Sequence, residues 1–336
     1  GGDFYYRKTT DLFTNVDVSP INGITSYIMN NGDMLNKGFS ISLNGYPVKT
    51  KNFRWYMSTY YSVNLNKVQT DDARNYNLND YLNGTAVVSG QPISTFYSYK
   101  FLGLNPQNGA PMFDDWEDRW HLLQGKTLDE VVPMILVNSG TRDPKFSGDL
   151  NNTFTYKNWS LSLNFSYSLG SKVRLFEMYG PIINGISAAA NVREEFLDRW
   201  QVPGDEKYTV YPLIISPSSP DYEHYRLHYS APQRAVGPNS GVPAFANNVW
   251  QMYDDSDLRV VSGNYLKLQS LSFSYRLNDR LLRKTPFTQL SISFNTHNCF
   301  TISAKELRGQ DPSQAGFADA GLSIRPSYTI GLNVSF

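Results

Sequence analysis

The residues best suited to hold a ligand are tryptophans and tyrosines set among carboxylates. "DDWEDRW" places Trp116 and Trp120 beside Asp114, Asp115, Glu117 and Asp118. Indole faces stack on sugar rings while carboxylates take the hydroxyls. The same spacing, one helical turn between the two tryptophans, also suits an amphipathic loop helix that they pack down, and that is the simpler reading. "DYEHYRLHY" offers Tyr222, Tyr225 and Tyr229, a polar-aromatic mixture expected against a substrate or at a protein interface.

Metal and catalytic chemistry have weaker support. His224 and His228 have the i,i+4 spacing of a zinc helix. Tyr225, however, stands where the metalloprotease motif needs Glu, and the flanks are rich in Pro. His297 and Cys299 share a face if the strand pattern continues past Phe294, but two ligands do not make a metal site. No defensible Ser-His-Asp set exists, and no Gly-rich phosphate loop follows a strand. The sequence therefore yields no catalytic residue, no metal and no cofactor. In "NVREEFLDRW", Val192, Phe196 and Trp200 form one helical stripe, with Glu194, Glu195 and Asp198 expected in solvent. "PGD" ends that helix.

The elements that must position these residues are strands. In "SYTIGLNVSF", Tyr328, Ile330, Leu332, Val334 and Phe336 alternate with Ser327, Thr329, Gly331, Asn333 and Ser335. "WSLSLNFSYSL" sets Trp159, Leu161, Leu163, Phe165, Tyr167 and Leu169 against four Ser and an Asn. "FSISLN", "FRWYMSTYYSVNL", "LSFSYRL" and "LSISF" repeat the pattern. A soluble sheet usually carries Lys, Glu and Thr on its wet face. Here that face is mostly Ser and Asn, closer to the lumen of a membrane barrel whose apolar face meets lipid. Leu161, Leu163, Phe165, Ile330, Leu332 and Val334 are then the lipid-facing candidates.

Composition agrees with that class without deciding it. Mean hydropathy is -0.41 and no run of about 18 apolar residues exists, which argues against a helical membrane protein. Aromatics still reach 14%, as a barrel with aromatic girdles requires. Lys+Arg and Asp+Glu are both 30, so no basic excess points to nucleic acid. The one cysteine, Cys299, excludes an internal disulfide and a Cys-based zinc site.

The joints between strands alternate in length. Tight joints fall at Gly45 to Asn52, Thr155 to Trp159 and Leu277 to Thr288. Long ones run near 11–35, 70–146, 171–263 and 304–325. Short periplasmic turns and long extracellular loops alternate in outer-membrane barrels, and the pattern gives about eight strands. The long joints hold roughly half the chain and would overhang a barrel of eight strands, so an arc of a wider barrel is expected. "DFYYRKTTDLF" reads as a strand from the outset, which makes the start look like a cut through a larger protein.

At this point the residues resemble a known family. The matching stretches are "YYRKTTDLF" (5–13), "NKGFSISLNGYPVKTKNFRW" (36–55), "YKFLGLNPQNGAPMF" (99–113) and "DPKFSGDLNNTFTYKNWSLSLNFSYSLG" (143–170). "RWQVPGD" (199–205), "GNYLKLQSLSFSYRL" (263–277), "QDP" (310–312) and the terminal strand follow in order. The chain is similar to the carboxy-terminal part of a SusC-like TonB-dependent transporter. One departure is "HNCFTIS" (297–303), where the family more often reads Gln-Asn-Leu-Phe.

The resemblance implies an all-β, antiparallel transmembrane β-barrel with long extracellular loops, residues 1–336 being about the last eight strands of a plugged barrel of about 22. It implies an outer-membrane location in a Gram-negative bacterium and import of oligosaccharides or peptides under a SusD-like surface lipoprotein. The TonB complex would act through an amino-terminal segment that also holds the plug and the other strands. The family's usual cargo favours glycan. Two alternatives come from other classes: a soluble or surface-anchored glycan-binding β protein, and a barrel-embedded outer-membrane enzyme.

Overall fold

A computed structural model of the chain describes all residues except 11–12, 18–25, 31, 70–75, 115, 124–125, 127, 181–190, 215–221, 223–234, 237–241, 244–248 and 314–324. Eight strands form one sheet: β1 (Gly2–Thr9), β2 (Asp33–Lys49), β3 (Phe53–Gln69), β4 (Phe146–Tyr156), β5 (Trp159–Leu169), β6 (Tyr265–Arg276), β7 (Gln289–Ser303) and β8 (Ser327–Ser335). They lie side by side in chain order, and every neighbouring pair is antiparallel.

The register turns the sequence alternation into two chemically distinct faces. One row across the sheet reads Trp55, Phe154, Leu161, Phe273, Phe294 and Ile330. The adjacent row, one residue along each strand, reads Tyr56, Thr153, Ser162, Ser272, Asn295 and Thr329. A slip of one residue would exchange the two faces. On the polar face, Thr153 and Ser162 hydroxyls meet at 3.1 Å, and the Ser272 hydroxyl donates to Asn295 Oδ1 at 2.6 Å.

Aromatic rings gather in two belts on the apolar face. Near the tight joints Trp55 stacks on Phe154, and Trp159 packs against Phe273 and Tyr275. Near the long joints Phe4, Phe39, Tyr61 and Phe146 form a chain of rings. Along β5 the span from Trp159 to Tyr167 is about 26 Å at ~3.3 Å per residue. The polar side chains in between are bonded to neighbours. Trp55 Nε1 donates to Asn152 Oδ1 at 3.0 Å, and the Thr59 hydroxyl donates to the Asp149 carbonyl at 2.8 Å.

Gly148 permits one of these close contacts. A Cβ there would lie 2.1 Å from the Tyr60 carbonyl and 2.4 Å from Tyr167 Oη. Gly148→Val is expected to displace Tyr167 and part β3 from β4, at a cost of about 1–3 kcal/mol for overpacking. Gly45→Val, where nothing lies within 4 Å, is the control. The temperature at which the sheet loses its protection from heat and detergent should fall for the first variant only.

The tight joints are residues 50–52, 157–158 and 277–288, the last holding a short helix, Asp279–Leu282. Among the described strands the register shifts between Gly45 and Val48 of β2 and again along β6. The ladder between β6 and β7 shifts between Leu268 and Ser270, with Asn298 at φ 54°. His297 pairs with Ser270 on the polar face. The Cys299 thiol meets Thr296 Oγ1 at 3.4 Å, beside a residue paired with Leu271 of the apolar face. Along β7 the two faces still alternate, since Phe300 pairs with Leu268 as Thr296 does with Leu271. Among the described residues no helix is long and apolar enough to cross a membrane.

Candidate functional site

The well-buried hydrophobic core lies in the long joints rather than in the sheet. Leu78, Tyr81, Leu82, Tyr97, Tyr99, Phe113, Trp116, Leu123, Val131 and Val132 come from the second long joint. Met178, Tyr179, Phe196, Trp250, Met252 and Tyr253 come from the third, and both sets belong to one cluster. Such burial explains why these segments form local structure. Leu78–Asn83 is a helix whose start is closed by a capping box between Asn77 and Asp80, and whose end turns at Gly84 in the left-handed region. Leu128–Ile135 continues directly into a strand, Leu136–Thr141, which pairs with Thr95–Tyr99.

Charged side chains lock the two joints together. Arg174 Nη1 donates to the Leu82 carbonyl (2.9 Å) and Asp255 Oδ1 (2.7 Å). Its Nη2 donates to the Tyr97 carbonyl (2.6 Å) and Ser98 Oγ (2.9 Å). Lys100 pairs with Asp257 at 2.8 Å. Asp254, 2% exposed, accepts the backbone N–H groups of Met178, Tyr179 and Gly180 at 2.8–2.9 Å. Burial pushes its carboxyl up to about 6, while Arg259 and those amides pull the other way. The fourth joint is tied to the wall by a buried pair, Lys267 of β6 with Asp311 at 3.0 Å.

The tryptophans and tyrosines singled out from the sequence fall unevenly on this body. Trp116 is buried in its core at φ 58°, with Arg119 stacked on its ring. Tyr222 is also buried, its ring parallel to that of Trp250. Both are used for packing and present little surface to a ligand. Trp120 falls in the short turn Glu117–Leu122, of which only its backbone is described. Tyr225, Tyr229, His224 and His228 lie outside the described residues. Around Trp200 the expected α-helix is a 3-10 turn, Glu194–Asp198. Phe196 and Trp200 are buried but Val192 is exposed, and Glu195 is buried against Arg193 at 2.6 Å rather than solvated. Among the described residues no group of three or more His, Cys, Asp or Glu could hold a metal.

Comparisons with known proteins agree with this architecture. TonB-dependent receptor P3 of Formosa agariphila is 24% identical over 99% of this chain and 32% of its own length. TonB-dependent receptor SusC of Bacteroides thetaiotaomicron is 27% identical over 55% of this chain and 18% of its own. A solved structure of the RagAB peptide transporter matches 100% of this chain and 33% of its own, with a TM-score of 0.68 and 20% identity. No protein-family model matches. The chain spans about a third of the length of the receptor P3 that it matches from end to end. These relatives are receptors and transporters, not enzymes. With the alternating wall and the packed long joints, the chain is similar in sequence to TonB-dependent receptors, SusC among them, and in fold to the RagAB transporter.

Proposed function

We propose that the chain forms part of the wall and outer face of an outer-membrane, TonB-dependent nutrient importer. The observation that carries this reading is the meander itself. One face is apolar between two aromatic belts, and the second and third long joints pack into a single body. In this reading Leu161, Leu163, Phe165, Ile330, Leu332 and Val334 meet lipid. The Ser/Asn face lines the lumen, and the long joints near 11–35, 70–146, 171–263 and 304–325 are extracellular. Further strands and a plug complete the barrel, TonB supplies the energy, and a SusD-like lipoprotein covers the loop body.

The cargo is an oligosaccharide or a peptide; the RagAB neighbour is described as a peptide transporter. The soluble glycan-binding alternative would bury the apolar face against another layer. The two aromatic belts that bracket the apolar face favour the membrane.

Topology gives the test. Protease added to intact cells should cut in the joints containing Trp116 and Trp200 and in the one containing Tyr225. The tight joints at Lys51, Lys157 and Arg283 should be cut only after the outer membrane is opened. Cleavage near Lys51 in intact cells would overturn the orientation. Deleting the protein should abolish growth on its cargo, with oligosaccharide and peptide media separating the two classes.

A further inference from the structure

We infer that Lys37 and Lys67, at the long-joint end of the apolar face, bind the phosphate of an outer-leaflet lipid headgroup. The inference rests on the importer reading, which turns this face to lipid and the long joints outward. Register places both lysines on that face. Lys37 pairs with Tyr6 and Leu65 in one row, and Leu35 pairs with Lys8 and Lys67 in the next. Residues two apart on a strand share a face, so these rows continue the one that carries Phe4 and Phe39.

Their level suits a headgroup. Lys37 is two residues beyond Phe39, and Lys67 is four beyond Val63, the partner of Phe39. At ~3.3 Å per residue and a tilt of about 40°, they stand roughly 5 and 10 Å beyond the aromatic belt. Headgroups occupy that depth, since they add about 5–8 Å to each side of the hydrocarbon. On β5, β6 and β7 the same face ends in Leu169, Leu266 and Ile302, without a cation.

Charge selects the ligand. Lys37 and Lys67 are exposed, and among the described residues neither forms an ion pair. Asp33 is the one carboxylate on this face of β1–β3, and Lys8 takes it at 2.7 Å. Two positive charges are left over. Lys37 and Lys67 are diagonal neighbours across the β2–β3 ladder, about 7 Å apart at their roots. Two compact ammonium groups at that spacing can share one phosphate between them. Tyr6, Leu35 and Leu65 lie among the lysines in these rows and offer apolar surface to the same lipid.

Native mass spectrometry of the intact protein in detergent tests this, with diphosphorylated lipid A, its dephosphorylated form and inorganic phosphate as probes. The phosphorylated lipid should be retained at least about tenfold better than the dephosphorylated one, a comparison that needs no variant. Lys37→Gln and Lys67→Gln should each weaken it about fivefold, and together roughly thirtyfold. Arg7→Gln, on the polar face of β1 opposite Asn36, should leave it unchanged. Equal retention of the two lipids, or full retention by the double variant, overturns the proposal and leaves the importer reading standing. Inorganic phosphate that binds as tightly as the lipid also overturns it, because the site would then serve a free ion. Retention of neither lipid overturns the proposal and the lipid-facing assignment together. So does a structure of the intact protein in lipid A nanodiscs that places another protein segment over Lys37 and Lys67.

Discussion

Arg174→Ala is expected to loosen the union of the two longest joints while leaving the strand ladder intact. The guanidinium reaches four acceptors in three separate parts of the chain, Leu82, Tyr97–Ser98 and Asp255. Its side chain is mostly buried, as is that of Asp255, whose pKa burial already raises against the pull of Arg174. Truncation leaves a carboxylate and two carbonyls without their donor inside a packed body. Removing one partner of a buried pair costs about 3–5 kcal/mol, chiefly because the other charge stays behind.

The loss should be local, since the loop core and the ladder are separate sets of contacts. Amide exchange at 95–99 and 172–174 should accelerate by two orders of magnitude or more, each ~1.4 kcal/mol being a factor of ten. Exchange in β4 and β5 should not change. Arg174→Lys should recover only part of the loss, because an ammonium cannot reproduce the planar fork that serves four acceptors. Unaltered exchange at 95–99 in the Ala variant would remove Arg174 from this role.

The wall was legible in the sequence because its signal is local. A strand residue's face is set by neighbours two positions away, so "WSLSLNFSYSL" already holds the information that the register of β5 displays. The alternation of short and long joints predicted the meander for the same reason, and the eight-strand count followed. The loop body was not legible, because its contacts are distant. Arg174 meets Asp255 across 81 positions and Lys267 meets Asp311 across 44.

In the sequence those residues are ordinary surface charges. Val192, Phe196 and Trp200 show how a helical period misleads there. Only two of the three are buried, because the segment makes a single 3-10 turn before "PGD" redirects it. Trp116 is a second case. Its left-handed backbone sets the ring against Arg119 and the loop core, which one turn of α-helix would not have done. A signal existed for Asp311, in the "QDP" of the resemblance, but none pointed to its partner.

Leu163→Arg and Ser162→Arg are expected to differ strongly although they are adjacent. Leu163 lies four residues from Trp159 and four from Tyr167 along β5, midway between the aromatic belts. Its cross-strand neighbours are Asn152 and Leu271. If this face meets lipid, the position is near the bilayer midplane, where Arg costs about 2–4 kcal/mol. Ser162 projects to the other face, opposite Thr153 and Ser272, where a wet lumen can solvate a guanidinium and the cost should stay below about 1 kcal/mol.

Asn152 does not soften the contrast. Trp55 Nε1 already occupies its Oδ1, and an amide cannot neutralise a charge. Reversible folding of the intact protein into lipid vesicles, followed through denaturant titration, reads the difference directly. A much lower midpoint for the Leu163 variant alone supports lipid on the Leu161–Leu163–Phe165 face and, through the shared register, on the Ile330–Leu332–Val334 face. Equal loss at both positions would mean that both faces are dry, as in a soluble sandwich or a sheet covered on each side. A larger loss at Ser162 would mean that the sheet is inside out with respect to this assignment.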